Sequence, residues 1–203
     1  GGAVTVTTNG TIVANGLGAF GLVAQSVGGG GGLVGGDATN VTMGGGANGA
    51  GGVVELRTGA NVFTQGVSAV GLLAQSIGGG GGVVLASGQA RIGLDDKSLS
   101  LAPTLTTALG QTATGTASIV RVTNLGIVQS AGNGASAIVA QSIGGGGGYS
   151  NSATISNGLF SDLRVAFSLG TQNGVGGDAA DVNVSNRGDV IANGHNAVGI
   201  LAQ

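Results

Sequence analysis

The sequence predicts an all-β chain, a right-handed parallel β-helix of stacked coils, and three observations carry that prediction. A 22-residue stretch recurs four times without a gap, at 4–25, 54–75, 120–141 and 182–203. Each copy opens on strict alternation of apolar and polar residues, the period of a half-buried strand. Gly supplies 47 of the 203 residues, against one Pro and no Cys or Trp. Each Gly inside a helix costs about 1 kcal/mol relative to Ala, which argues against long helices. A repeat of this size buries its apolar face by stacking on its neighbours, so the expectation is an elongated solenoid and not a compact enzyme with one site.

The first strand of each copy is Val4-Thr5-Val6-Thr7, Val54-Glu55-Leu56-Arg57, Val120-Arg121-Val122-Thr123 and Val182-Asn183-Val184-Ser185. The Val and Leu positions are expected to face inward, while the intervening slot varies freely in chemistry, as a solvent-facing position does. Asn9-Gly10, Gly59-Ala60, Gly126 and Gly188 then mark a corner, since Gly and Asn tolerate left-handed backbone. A second short strand follows at Ile12–Ala14, Val62–Thr64, Val128–Ser130 and Val190–Ala192. A glycine present in every copy, Gly16, Gly66, Gly132 and Gly194, reads as a second corner needing positive φ. The last strand is Leu22–Gln25, with Leu72–Gln75, Ile138–Gln141 and Ile200–Gln203 as its equivalents.

Three short strands in about 24 residues make one coil of a β-helix, with coils stacked at roughly 4.8 Å. Gln25, Gln75, Gln141 and Gln203 stand 50, 66 and 62 residues apart. The spacers read as further coils with loops, so each copy plus its spacer is about two to three coils, and the chain is on the order of eight coils, near 40 Å long. The reading is one solenoid segment with repeat copies 4–32, 54–82, 120–148 and 182–203, separated by variable coils 33–53, 83–119 and 149–181. Leu163–Leu169 alternates like a strand, and Asp95-Asp96-Lys97 with Pro103 marks a protruding loop. The chain opens on Gly1-Gly2 and stops at Gln203, where Ser-Ile-Gly is due, so it reads as a segment of a longer array.

Composition narrows the function. Charged residues are 7%, aromatics 2% and the formal net charge is −2. There is no basic stripe for phosphates and little to stack on bases, which argues against nucleic acid. No run of 18 or more apolar residues is present to insert into a membrane. A nearly neutral polar surface tends to associate, so self-association with neighbouring copies is expected.

The first three copies run on through Ser-(Val/Ile) into five glycines, Gly28–Gly32, Gly78–Gly82 and Gly144–Gly148. No Lys-Ser/Thr follows, so these are not phosphate loops. They are either a flexible flap or a surface where backbones approach with no side chain between them, and their identical length favours packing. The Gln of each copy could build an amide ladder. With copies two to three coils apart the amides would not touch, and a capped corner or a bond to the neighbouring backbone is expected instead.

Gly21-Leu22-Val23-Ala24-Gln25-Ser26-Val27 and the glycines after it resemble the repeats of large bacterial autotransporter passengers, as do 71–82 and 137–148. The resemblance covers the four copies, roughly half the chain. It implies a secreted right-handed β-helix on a Gram-negative outer membrane, used for adhesion, aggregation or biofilm, with host-cell, matrix or glycan surfaces as partners. That family's pattern ends in a translocator barrel, which this sequence does not include. The matched motif contains no catalytic residue, so none is carried over.

Other chemistry is weakly supported. Gly35-Gly36-Asp37-Ala38 and Gly174-Val175-Gly176-Gly177-Asp178 faintly resemble a calcium-binding nonapeptide repeat, but they are isolated and lack the second Gly-x-Asp step. His195 is the lone histidine and reads as a surface residue. Asp95, Asp96, Asp162, Asp178 and Asp181 could in principle supply a carboxylate pair for sugar hydrolysis, but nothing places two of them together. The expectation is therefore a non-enzymatic, cofactor-free structural protein. An extracellular filament built by head-to-tail stacking is the first alternative, and a glycan- or calcium-binding module the second.

Overall fold

The computed structural model describes residues 1–36, 48–86, 105–106, 114–152, 167–168 and 176–203. They form strands and turns only, with no helix among the described residues. The first coil is β1 (Val4–Thr8), β2 (Thr11–Asn15) and β3 (Phe20–Val27), followed by β4 (Gly31–Gly36). The second is β5 (Val54–Thr58), β6 (Asn61–Gln65) and β7 (Val70–Ile77), followed by β8 (Gly81–Ala86). A short β9 (Leu105–Thr106) precedes the third coil. That coil is β10 (Val120–Asn124), β11 (Val128–Ala131) and β12 (Ser136–Ile143), followed by β13 (Gly147–Ser152). After β14 (Phe167–Ser168) comes the fourth coil: β15 (Val182–Asn186), β16 (Val190–Asn193) and β17 (Val198–Ala202).

Equivalent strands pair in parallel, giving sheets ordered β1-β5-β10-β15, β16-β11-β6-β2, β17-β12-β7-β3 and β13-β8-β4. The chain is thus a parallel β-solenoid with the repeat as its coil. The register is residue for residue: Val4 opposes Val54, Val54 opposes Val120, and Val120 opposes Val182. This corrects the two-to-three-coil spacing and the eight-coil length. Successive copies are adjacent, so the described stack has four coils and rises about 14 Å from first to last at the usual strand separation.

The spacers do not add coils between the copies. After the glycine run each chain segment doubles back as β4, β8 or β13, and these three pair with one another. β9 and β14, from the second and third spacers, also pair in parallel. Asp95, Asp96, Lys97, Pro103 and Asp162 lie outside the described residues, as does most of Leu163–Leu169.

The core follows the alternation. Val54, Leu56, Val62, Leu72, Ala74, Val120, Val122, Val128, Ile138 and Ala140 are buried in one cluster, with Val4, Val6, Ile12 and Leu22 of the first coil packed against it. One partner per coil at each position keeps the lumen narrow and lets β-branched side chains stack on themselves. The third strand is longer than the sequence suggested and is buried on both faces in β7. Its outer residues Val70, Leu73 and Val139 form a second cluster with Val83 and Tyr149 of the doubled-back strands.

Both corners are built locally. At the first, Thr58 Oγ1 accepts the Ala60 N–H at 3.0 Å, and Asn124 Nδ2 donates to Gly126 O at 2.8 Å. At the second, Gly16, Gly66, Gly132 and Gly194 have φ of 131°, 145°, 138° and 139°. Ala69 N–H closes that turn onto Gly66 O at 3.2 Å. The third turn residue is left-handed in each coil, at Gly18, Ser68, Gly134 and Asn196.

Candidate functional site

The most concentrated polar structure lies at the end of the third sheet, where the Gln-Ser pair of each repeat meets its glycine run. Gln25 Nε2 donates to Gln75 Oε1 at 2.8 Å, Gln75 Nε2 to Gln141 Oε1 at 2.6 Å, and Gln141 Nε2 to Gln203 Oε1 at 3.0 Å. The glutamines therefore form a continuous amide ladder in place of the expected capped corner, and of the expected backbone bonds Gln25 makes one, to Gly32 O. Because the spacers leave the stack and the copies are adjacent, equal side chains stand one strand apart, and an amide can both donate and accept along the column. Gln75 is fully buried and Gln141 nearly so.

The serine that follows each Gln stitches consecutive coils. Ser26 Oγ donates to Gly2 O at 2.7 Å and accepts the Gly52 N–H at 2.8 Å. Ser76 Oγ accepts the Ser118 N–H at 2.9 Å, and Ser142 Oγ accepts the Ala180 N–H at 2.9 Å. Each hydroxyl ties the end of one coil's third strand to the segment that enters the next coil. Sequence reasoning used these serines as part of the motif but gave them no role. The signal that could have found them is that Ser follows Gln in every copy long enough to show it.

The five-glycine runs turn the chain from the third sheet onto its outer face. Gly29–Gly32, Gly79–Gly82 and Gly145–Gly148 all have positive φ. A Cβ on Gly28, Gly78 or Gly144 would overlap the backbone of the segment entering the next coil, at Gly49, Gly115 and Gly177 respectively. A Cβ on Gly81 would overlap the Gly147 carbonyl, and one on Gly82 the Gly32 carbonyl. The runs are thus close-packed between coils on both sides, with no room for side chains there. Gln25 Nε2 also reaches Gly32 O at 3.4 Å, joining the ladder to the run.

Surface chemistry is left to the first two sheets. On the first, Thr5, Glu55, Arg121 and Asn183 form one outward row in register. Arg57 Nη1 and Glu55 Oε1 lie 3.9 Å apart at an exposed position, an ion pair of little energetic weight. On the second, Val13, Phe63, Gln129 and Ile191 are in register, with Val13 63% and Ile191 37% exposed.

The remaining candidates are scattered. His195 is exposed on the second corner, where its backbone N–H donates to Asn133 Oδ1 at 3.3 Å. Asp178 and Asp181 are exposed on the segment entering the fourth coil. Of the two calcium-like stretches, Asp37, Ala38, Gly174 and Val175 lie outside the described residues. Among the described residues no three His, Cys, Asp or Glu side chains gather as a metal site would require, and no helix is long and apolar enough to cross a membrane. Comparison with family models, curated proteins and solved structures finds no match to this chain.

Proposed function

We propose that this chain is an extracellular structural and adhesive β-solenoid, part of a bacterial cell-surface or secreted autotransporter-like protein that works in adhesion, aggregation or biofilm. The observation that carries the reading is where the polar groups are spent. The Gln ladder, the serine stitches and the glycine runs all bind coil to coil, so the recurring motif makes a stiff rod. The chemistry that varies lies on the outer rows of the first two sheets and in the spacers. This division, with a fixed shaft and a variable exterior, suits a protein that carries contact surfaces outward. It gives no support to catalysis, and the reading is non-enzymatic and needs no cofactor. Its partners are other copies and host-cell, matrix or glycan surfaces.

The test is to couple the protein to beads and measure bead clustering and retention on cell, matrix and glycan surfaces, against an unrelated solenoid of equal length. Clustering or retention above that control is the expected result. Equality with the control on every surface removes the adhesive reading and leaves a spacer rod.

A filament built by head-to-tail stacking is the second reading, and the register favours it: one repeat stacks directly on the next, residue for residue, so a coil of another copy could pair in the same way. Intact mass of the native polypeptide under denaturing conditions separates the two: a mass many times 18.9 kDa means covalent coils, and a mass near it favours the filament.

A further inference from the structure

We propose that Asn9 is a site of spontaneous deamidation, which turns a neutral corner amide into a carboxylate. The chain contains several Asn-Gly pairs, and the fold treats them differently. The reaction needs the backbone nitrogen after the Asn to attack its side-chain carbonyl carbon. That nitrogen must therefore be free to rotate out of any hydrogen bond, and the following residue must leave the approach open. Glycine meets the second need at each of these pairs. Only the local hydrogen bonding decides the first.

Asn9-Gly10 lies at the corner between β1 and β2, with both residues exposed and Gly10 at φ 95°. No acceptor among the described residues takes the Gly10 N–H. A Cβ built on Gly10 would meet nothing within 4 Å, so the space around this nitrogen is open. The vacancy belongs to the corner and not to the edge of the stack. In the second coil the equivalent Ala60 N–H turns back onto its own Thr58 hydroxyl and reaches no neighbouring coil.

Three other pairs are held, while Asn157-Gly158 and Asn173-Gly174 lie outside the described residues. Gly16 N–H donates to Gln65 O at 2.8 Å, which locks the nitrogen after Asn15 into the stack. Gly134 N–H donates to His195 O at 2.8 Å, which does the same after Asn133. The side-chain oxygen of Asn48 accepts a hydrogen bond from Thr114 Oγ1 at 2.6 Å, which fixes the carbonyl that would be attacked. Asn193-Gly194 is in the fourth coil, where the matching acceptor would belong to a further coil, and it does not serve as a comparison.

In the step itself the Gly10 nitrogen bonds to Asn9 Cγ, the Cγ–Nδ2 bond breaks, and ammonia leaves. A five-membered succinimide remains. Water opens it at one carbonyl or the other, giving aspartate or isoaspartate. The proton lost by the Gly10 nitrogen leaves with the Nδ2 group as ammonia, one amide and one water are consumed overall, one carboxylate and one ammonium ion are made, and no oxidant or reductant takes part. The formal net charge falls by one from −2. The isoaspartate product also adds a backbone methylene at the turn between the first and second sheets.

The test is peptide mapping by mass spectrometry of the folded protein aged at mildly alkaline pH, with a parallel sample in concentrated urea. In the folded sample Asn9 is expected to deamidate about tenfold or more faster than Asn15 and Asn133, whose glycine nitrogens are released only by local opening of the stack. In urea the three rates are expected to converge. Equal rates in the folded sample, or an unmodified Asn9, would overturn the proposal. A preference for Asn9 that persists unchanged in urea would overturn it too, because the cause would then be sequence and not fold.

Discussion

Gln75 and Gln141 are 66 residues apart in the chain, and the Nε2 of the first donates to the Oε1 of the second at 2.6 Å. That one bond fixes the architecture, because it requires successive repeats to be neighbouring coils. It also sets the consequence of losing a member. Replacing Gln75 by Leu leaves Gln25 Nε2 without its acceptor and Gln141 Oε1 without its donor, both in a largely closed environment. The expected loss is about 2–5 kcal/mol, read as a lower urea midpoint.

The glycine runs predict an asymmetry between two substitutions of equal backbone strain. Gly81 and Gly32 have φ of 132° and 143°, so Ala strains either one by a similar amount. A Cβ on Gly32 meets nothing within 4 Å, whereas one on Gly81 runs into the Gly147 backbone. Gly32→Ala is expected to cost about 1–3 kcal/mol. Gly81→Ala is expected to cost clearly more, or to prevent folding, as measured by the same urea titration. Equal costs would mean that the runs are not packed between coils.

Ser68 predicts a stabilising change. It sits at φ 59°, buried, with an unpartnered hydroxyl, where the first and third coils place Gly. Ser68→Gly relieves the left-handed backbone and removes a buried hydroxyl that has no hydrogen-bond partner. A gain of about 1 kcal/mol is expected, seen as a raised thermal midpoint.

The core predicts a position-dependent cost along a single column. Leu72→Ala deletes methyls from a fully buried site between two coils, for an expected loss of about 2–5 kcal/mol. Ile200→Ala at a half-exposed site in the same column is expected to cost less than half as much in a preparation of this chain.

The fold class, the inward Val and Leu positions and the corner residues were legible because each is encoded locally. Alternation sets a strand, and Gly or Asn sets a corner. The stacking order was not legible in that way. Repeat offsets of 50, 66 and 62 residues say how far apart the copies are in sequence, and not whether the intervening residues coil or leave the stack. The signal that settles it, the return of β4, β8 and β13 over the third sheet, rests on short apolar stretches after the glycines, such as Leu33 and Val83, too brief to show a period. The Gln ladder and the serine stitches were hidden for the same reason, since each needs its equivalent one coil away. The Gln-Ser-glycine motif behind the proposed adhesive function is built from residues that the fold uses to hold coils together.

The most direct measurement exploits the absence of cysteine from the chain. Thr5 and Glu55 are register partners on the exposed face of the first sheet. Neighbouring strands place such residues about 5 Å apart, within the Cα range a disulfide spans. The double variant Thr5→Cys with Glu55→Cys is expected to oxidise readily to an intramolecular disulfide in the folded protein. Thr5→Cys with Arg57→Cys is two residues out of register, about 8 Å apart, and is expected to stay largely reduced. Rapid closure of the first pair with failure of the second is the result the account predicts. Failure of the first pair, or equal closure of both, would contradict the direct stacking of one repeat on the next.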